Sequence, residues 1–273
     1  MNVSLNGLSV YIFDLDGCIY SGQTLYPGAK ELIETLMKHK KKIYFLTNNS
    51  RDTSETIRKK LYGMGLDIKK APVITMTEII GKYLYEKFGR LKVIVIGSQE
   101  LELSIKSEGH HIVNLISNEP CDFIVVGRDT EFTYEKLYKC SQQLKGATKL
   151  VLTNPDLHHP GLGGENVPET GALFAAIQAV SELTDVDFVG KPNSYPYQYI
   201  LQHSNETLDQ CVMIGDNPLT DIQGGFNVGL KTIWISHSKA FPKALEFQPD
   251  FTVKTIEHLK DLYIKEMSLK QNE

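Results

Sequence analysis

Short runs of β-branched and aromatic residues recur along the chain, at SVYIFD, KKIYFLT, KVIVIG, DFIVVG, KLVLTN, CVMIGD and KTIWIS. Each is a brief apolar stretch closed by glycine or a polar residue, the pattern of a strand buried on both faces. Between them, GAKELIETLMKHK, DTSETIRKKLYGMG, TYEKLYKCSQQLKG and TGALFAAIQAVSEL carry apolar residues at helical spacing. Such alternation predicts an α/β fold, a mostly parallel, doubly wound sheet covered by helices on both sides. The C-terminal KDLYIKEMSLKQNE reads as a helix fraying into a solvated tail. There is no short-period repeat and no low-complexity linker.

In open α/β sheets, ligands bind outside the carboxyl ends of the strands. Several runs end there in polar groups: Asp14 after VYIF, Thr47-Asn48-Asn49 after IYFL, Lys191 after DFVG and Asp216-Asn217 after VMIG. The middle segment, from about Thr77 to Asp185, has its own strand and helix series without a comparable edge. The expected organisation is a core of residues 1–76 and 186–273 with a second α/β unit, 77–185, inserted into it.

DLDG places two carboxylates, Asp14 and Asp16, just before Gly17. Residues two apart on a strand share a side, and like charges so placed repel. One reading is a solvated strand end with an Asp-Gly turn; the other is a nucleophile and an acid/base partner bridged by Mg²⁺, which favours hard oxygen ligands. FLTNNS reads as a strand exit with a serine or Asp52 capping the next helix, or as a hydroxyl beside free N–H groups suited to phosphate oxygens. Lys191 in VGKP is a surface charge or a phosphate partner; the P-loop spacing fails, with Asp185 at the first glycine position and Pro192 after the lysine. In IGDNPLTDIQGG, Asp216 suits a metal and Asp221 either orients the site or favours a helix N-terminus. Order and strand-end placement together favour chemistry.

Composition narrows the partners. Among 273 residues, 41% are hydrophobic and 23% charged, and the formal charge of −4 gives no electrostatic reason to expect nucleic acid. An anionic ligand must then be held by local positive charge. Cys18, Cys121, Cys140 and Cys211 form no C-x-x-C pair, which argues against zinc or a disulfide framework and for a reducing cytoplasm. MNVSLNGLSVYIFD lacks a basic leader, and no apolar run approaches the ~18 residues of a spanning helix, so no membrane partner is expected. Trp234, the only tryptophan, is expected in the core.

The four segments DLDGCIYSGQTLYPGAKELIETL, FLTNNS, VGKP and GDNPLTDIQGGFNVGLKTI together resemble the motifs of the haloacid dehalogenase-like hydrolases, from about Val10 to Ser236. VVGRDTEFTYEKLYKC and LVLTNPDLHHPG resemble the large α/β cap of the NagD-like, p-nitrophenylphosphatase group. The resemblance implies a Rossmann-like core with an inserted cap for specificity, and a Mg²⁺-dependent phosphatase of small phosphorylated metabolites of nucleotide, sugar phosphate or phosphoglycolate type. Asp14 matches the nucleophile, Asp16 the general acid/base, Thr47 and Asn48 the phosphate loop, and Lys191 the motif lysine. Asp14, the backbone carbonyl of Asp16 and Asp216 would share the metal, with Asp221 as a direct or outer partner.

TNPD, Thr153 to Asp156, matches the cap segment that meets substrate in relatives, and its continuation into His158 and His159 departs locally from them. Two neighbouring histidines in a loop are either solvated or substrate contacts; Asp156, His158 and His159 are the expected cap residues, with Arg51 and Arg128 as the fallback. The exposed surface of the insertion is the expected place for a homodimer contact. Other readings are a phosphotransferase or mutase on the same fold, a receiver-type phosphate-binding signalling module, and an inactive scaffold.

Overall fold

A computed structural model describes residues 5–117, 119–161, 165–181, 183 and 186–270. Asp185, where the insertion was expected to end, and the glycine-containing stretch 162–164 after the histidines lie outside the described residues.

The chain begins with β1 (Val10–Phe13), the short hairpin β2 (Tyr20–Ser21) and β3 (Thr24–Leu25), α1 (Ala29–Lys38), β4 (Lys42–Thr47) and α2 (Ser54–Gly63). Next come β5 (Val73–Thr75), α3 (Met76–Phe88), β6 (Lys92–Ile96), α4 (Gln99–Ser107), β7 (His111–Ile112), β8 (Phe123–Val126) and α5 (Tyr134–Gln143). β9 (Lys149–Leu152), β10 (His158–Pro160), β11 (Asn166–Pro168), α6 (Thr170–Ser181) and β12 (Asp187–Phe188) follow. The last part holds α7 (Tyr195–Ser204), β13 (Cys211–Gly215), a π-helical turn (Pro218–Ile222), α8 (Gln223–Asn227), β14 (Lys231–Ile235), β15 (Phe251–Val253) and α9 (Ile256–Lys270).

These elements form two compact units. The first comprises Met1–Thr47, Ile57–Val73 and Lys191–Glu273; the second comprises Asn48–Thr56 and Ile74–Gly190. A six-stranded sheet runs in the order β15-β14-β13-β1-β4-β5, and β1 pairs in parallel with both β13 and β4. Its strands read as unbroken apolar runs because they are covered on both faces, and Val10–Phe13 is wholly buried. α1 turns Leu32, Ile33 and Leu36 into the core that also holds Phe13, Phe45 and Ile214. Trp234 is buried, and its indole Nε1 donates to the Asp216 carbonyl at 2.8 Å.

The second unit has a five-stranded sheet, β12-β9-β8-β6-β7, with its own core around Ile94, Ile124, Val126, Leu152 and Ile177. Its helix starts are chemically marked. Ser98 accepts from Leu101 N at 3.2 Å before α4, Thr133 from Lys136 N at 3.2 Å before α5, and Thr75 from Glu78 N at 3.2 Å before α3. Each side chain satisfies one of the donors a helix start leaves unpaired.

No described helix is long and apolar enough to cross a membrane. All four cysteines are free and buried.

Candidate active site

β1 is the strand on which the polar residues of the first unit converge. Phe13 pairs with Ile214 of β13 on one side and with Phe45 of β4 on the other, so the residues that follow these three strands emerge side by side. They are Asp14, Asp216 and the terminal Thr47 of β4, which is buried. Asp14 continues the ladder by one bond, its N–H donating to the Ile214 carbonyl at 2.9 Å.

Asp14 and Asp16 part company at this point. Sequence alternation puts them on one side of a strand, but β1 ends at Phe13, and the chain turns so that Asp14 is buried while Asp16 is exposed. Leu15, between them, is fully buried, and its carbonyl accepts from Ile19 N at 2.9 Å as the turn closes. The two like charges are separated by environment as well as by spacing.

Asp221 reaches the same place by a different route. The Asn217 carbonyl accepts from Asp221 N at 3.0 Å and from Ile222 N at 3.4 Å, a widened turn that begins at Pro218 and carries the Asp221 side chain back toward β13. There its Oδ2 accepts from Asn217 N at 3.0 Å. Lys191 Nζ lies between the carboxylates, 2.5 Å from Asp14 Oδ1 and 2.6 Å from Asp221 Oδ1, and is only 2% exposed. A buried ammonium is tolerable only when paired in this way.

One lysine faces three acids. Oxygens of Asp14, Asp216 and Asp221 lie within 4.8 Å of one another. Burial, helped by Asp221, pushes the Asp216 carboxyl up to about 7. Burial also drives Asp14 well above the ordinary carboxylate range, against the pull of Lys191 and with Asp221 and Asp216 adding to the rise. For Lys191, burial works to lower the value, but Asp14 and Asp221 outweigh it and hold the amine above its ordinary range. With one ammonium for three carboxyls, Asp14 and Asp216 are driven toward taking up protons unless a further cation joins them.

Two glycines make the crowding possible. Gly17 has φ +88°, and a Cβ there would lie 2.4 Å from Asp216 Oδ2; a Cβ at Gly215 would lie 2.2 Å from Asp221 Oδ2. Gly17 was visible as part of DLDG. Gly215, fully buried on β13, carries no sign in sequence beyond preceding Asp216. Two further residues escape a sequence reading. The Tyr20 hydroxyl donates to Asp16 Oδ2 at 2.8 Å, and the buried Tyr197 hydroxyl donates to the Thr220 carbonyl at 3.1 Å, bracing the turn that bears Asp221.

In the second unit the remaining expected residues fall into two groups. Asn48 Nδ2 donates to Asp156 Oδ2 at 2.9 Å, and Asn154 Nδ2 donates to the Asn48 carbonyl at 2.8 Å. Buried Ser50, Thr153, Asn154 and Thr170 complete this network, so the middle segment does have a polar edge of its own. It was hidden because its members lie on three separated segments.

The histidines differ from expectation: they occupy β10, paired antiparallel with β11, rather than a loop. Successive strand residues point to opposite faces, so they do not act as a pair. His158 is exposed, whereas His159 Nδ1 lies 2.7 Å from Glu169 Oε1, and Arg128 approaches the same oxygen at 3.5 Å. Arg51 is exposed. The turn after FLTNNS also differs, since Thr53 Oγ1, not a serine or Asp52, accepts from the first turn of α2, from Thr56 N at 3.3 Å.

A parallel sheet whose central strand is followed directly by a buried aspartate, paired with a buried lysine and gathered with two further aspartates, defines a class. The chain belongs to the haloacid dehalogenase-like hydrolases: residues 11–111 match the family model described as haloacid dehalogenase-like hydrolase, and residues 188–260 match a second, HAD-hydrolase-like model. Within it the chain is a phosphatase of the NagD and p-nitrophenylphosphatase group. It is 32% identical over 225 residues to the acid sugar phosphatase of Staphylococcus epidermidis, covering 82% of this chain and 85% of that one. The crystal structure of 4-nitrophenylphosphatase from Thermotoga maritima is similar with a TM-score of 0.84 and 31% identity, covering 95% of this chain and 99% of that one. NagD from Escherichia coli K-12 is similar with a TM-score of 0.81 and 25% identity, over 92% and 97% of the two chains.

Proposed function

We propose that the protein is a Mg²⁺-dependent phosphatase of small phosphorylated metabolites, sugar phosphates first among them, acting through an aspartyl-phosphate. The observation that supports this reading best is the buried Asp14 carboxylate paired with Lys191 at the end of the central strand. In the first step an Asp14 oxygen attacks phosphorus, the bond from phosphorus to the leaving oxygen breaks, and Asp16 gives its proton to that oxygen. In the second, water attacks the same phosphorus, Asp16 takes a proton from the water, and the bond to Asp14 breaks. Lys191 and Thr47 are assigned to the phosphoryl oxygens, where stabilisation of spread negative charge supplies most of the rate.

The donor set fits a divalent cation. Three carboxylates within 4.8 Å share one ammonium, and the oxygens are hard ligands. Asp14 and Asp216 would hold the ion, with the backbone carbonyl of Asp16. Asp221, engaged by Lys191 and Asn217, is assigned to orienting the lysine. When bound, the ion supplies charge neutralisation at the phosphoryl group.

This assignment predicts a pH-dependent stabilisation. Asp216 folds with a carboxyl raised to about 7 from the ordinary 3.8, so its contribution to stability is present at low pH and lost as pH rises through about 7. Added Mg²⁺ replaces the proton, and should raise the melting temperature more at pH 8 than at pH 5. A shift that is equal at both values, or absent, rejects the metal assignment.

The reaction itself is tested by phosphate release from p-nitrophenyl phosphate and a panel of sugar phosphates, nucleoside monophosphates and phosphoglycolate, with Mg²⁺ and with EDTA. No release from any ester would reject the proposal. Specificity is assigned to the second unit through Asp156, which holds Asn48, the residue following Thr47. Asp156→Ala should therefore change the order of kcat/KM across the panel, because each leaving group loses a different contact. A uniform drop across the panel would remove Asp156 from that role.

A further inference from the structure

Asp16 stands apart from the carboxylate cluster, and two residues to which the motifs assign no role, Tyr20 and His237, fix the turn that carries it. The buried Tyr20 hydroxyl reaches Asp16 Oδ2 at 2.8 Å, and Gly17 N donates to the Tyr20 carbonyl at 2.9 Å, so side chain and backbone close the turn together. Lys60 Nζ lies 3.9 Å from the centre of the Tyr20 ring. A cation over the ring face draws electron density from it and strengthens the phenol as a donor.

The second contact comes from 220 residues away. His237 Nε2 lies 2.7 Å from the Gly17 carbonyl, and since a carbonyl only accepts, Nε2 carries the hydrogen. The His237 ring also packs on Tyr26, with centroids 5.1 Å apart, at the end of the β2–β3 hairpin. His237 and Ser238 have φ of 46° and 64°, a left-handed conformation that is unfavourable for both. The backbone there is held by His237 N donating to the Lys254 carbonyl at 3.0 Å. Strain at consecutive non-glycine residues persists only where surrounding contacts enforce it, and here it delivers one imidazole to the turn bearing Asp16.

We propose that Tyr20 and His237 are positioning residues for Asp16: the phenol occupies Oδ2, leaving Oδ1 to exchange the proton, and the imidazole fixes the turn that aims it. This rests on the assignment of Asp16 as the general acid/base. A residue that aims an acid matters in proportion to how much the leaving group needs a proton. Loss of the brace should therefore be small for a good leaving group and large for a poor one.

The experiment measures kcat and KM for wild type, Tyr20→Phe, His237→Leu and His237→Gln over aryl phosphates of increasing leaving-group pKa and one alkyl phosphate. For Tyr20→Phe and His237→Leu, kcat/KM, which reports the first step and not the later attack of water, should fall about tenfold on the alkyl phosphate, the scale of one hydrogen bond to a charged group, with little change on p-nitrophenyl phosphate. KM should stay near the wild-type value. His237→Gln, which retains a donor, should recover much of the alkyl phosphate rate. Circular dichroism checks folding. If Tyr20→Phe and folded His237→Leu lose the same factor in kcat/KM on every ester, or lose nothing, the brace is overturned while the phosphatase reading stands. A wild type inactive on the whole series overturns both.

Discussion

Asp14→Asn is expected to lower turnover by roughly 10⁴-fold or more, the scale seen when a nucleophile is removed from a machinery that acts as a unit. The amide matches the carboxylate in size but does not displace the leaving group from phosphorus. It also relieves a crowded site, since Asp14 sits buried with Asp216 and Asp221 against a single ammonium. The metal-free variant should consequently melt no lower than wild type at pH 8, and its response to Mg²⁺ should shrink. Turnover by a folded Asp14→Asn enzyme within tenfold of wild type would take the nucleophile's role away from Asp14.

Lys191→Met should have the largest effect on stability. Met keeps the apolar stem but leaves Asp14 and Asp221 without their shared cation, and uncompensating a buried charge typically costs about 3–5 kcal/mol. The deficit should be largest at pH 8 and smaller at pH 5. With the lysine gone, both buried carboxylates are driven to take up protons, and protonation removes the repulsion that the ammonium had balanced. Activity should fall with stability, because the phosphoryl group loses its only buried cation among the described residues. Urea denaturation at the two pH values is the measurement. An identical deficit at both would show that packing of the lysine stem, rather than its charge, holds this part of the fold.

The sequence showed the strands with long apolar runs and the polar residues at their ends. Asp14 and Asp216 could be grouped because a parallel sheet forces the ends of neighbouring strands together. Lys191 was expected there for the same reason, but the strand before it, β12, pairs with β9 in the second unit's sheet, and Asp221 arrives on the π-helical turn rather than at a strand end. Less visible were the three-residue strands β5 and β15, too short for a period to declare itself, and α3, whose start depends on Thr75 acting as a cap. The different burial of Asp14 and Asp16 was also hidden. Alternation assumes that a strand continues, and β1 stops one residue before the first aspartate. The same assumption failed in reverse at His158 and His159, where a strand of three residues looked like a loop. Gly215 and Tyr20 needed coordinates, since what matters is the atom each admits or touches. Neither clearance nor a side-chain contact is written in spacing.

The order in which the chain leaves the ribosome gives the pairing of β1 with β13 a further meaning. Val10 pairs with Cys211, so the strand bearing Asp14 waits for a partner about two hundred residues downstream. At the usual ~5–20 residues per second, that wait is roughly 10–40 s. All of the second unit emerges within the interval and can fold while one edge of β1 is still unpaired. An edge left open during synthesis invites wrong pairing or a chaperone. Moving the chain termini so that β13 is made before β1 would shorten the wait without altering one site residue, and slow or aggregation-prone expression of the native order should improve in such a permutant.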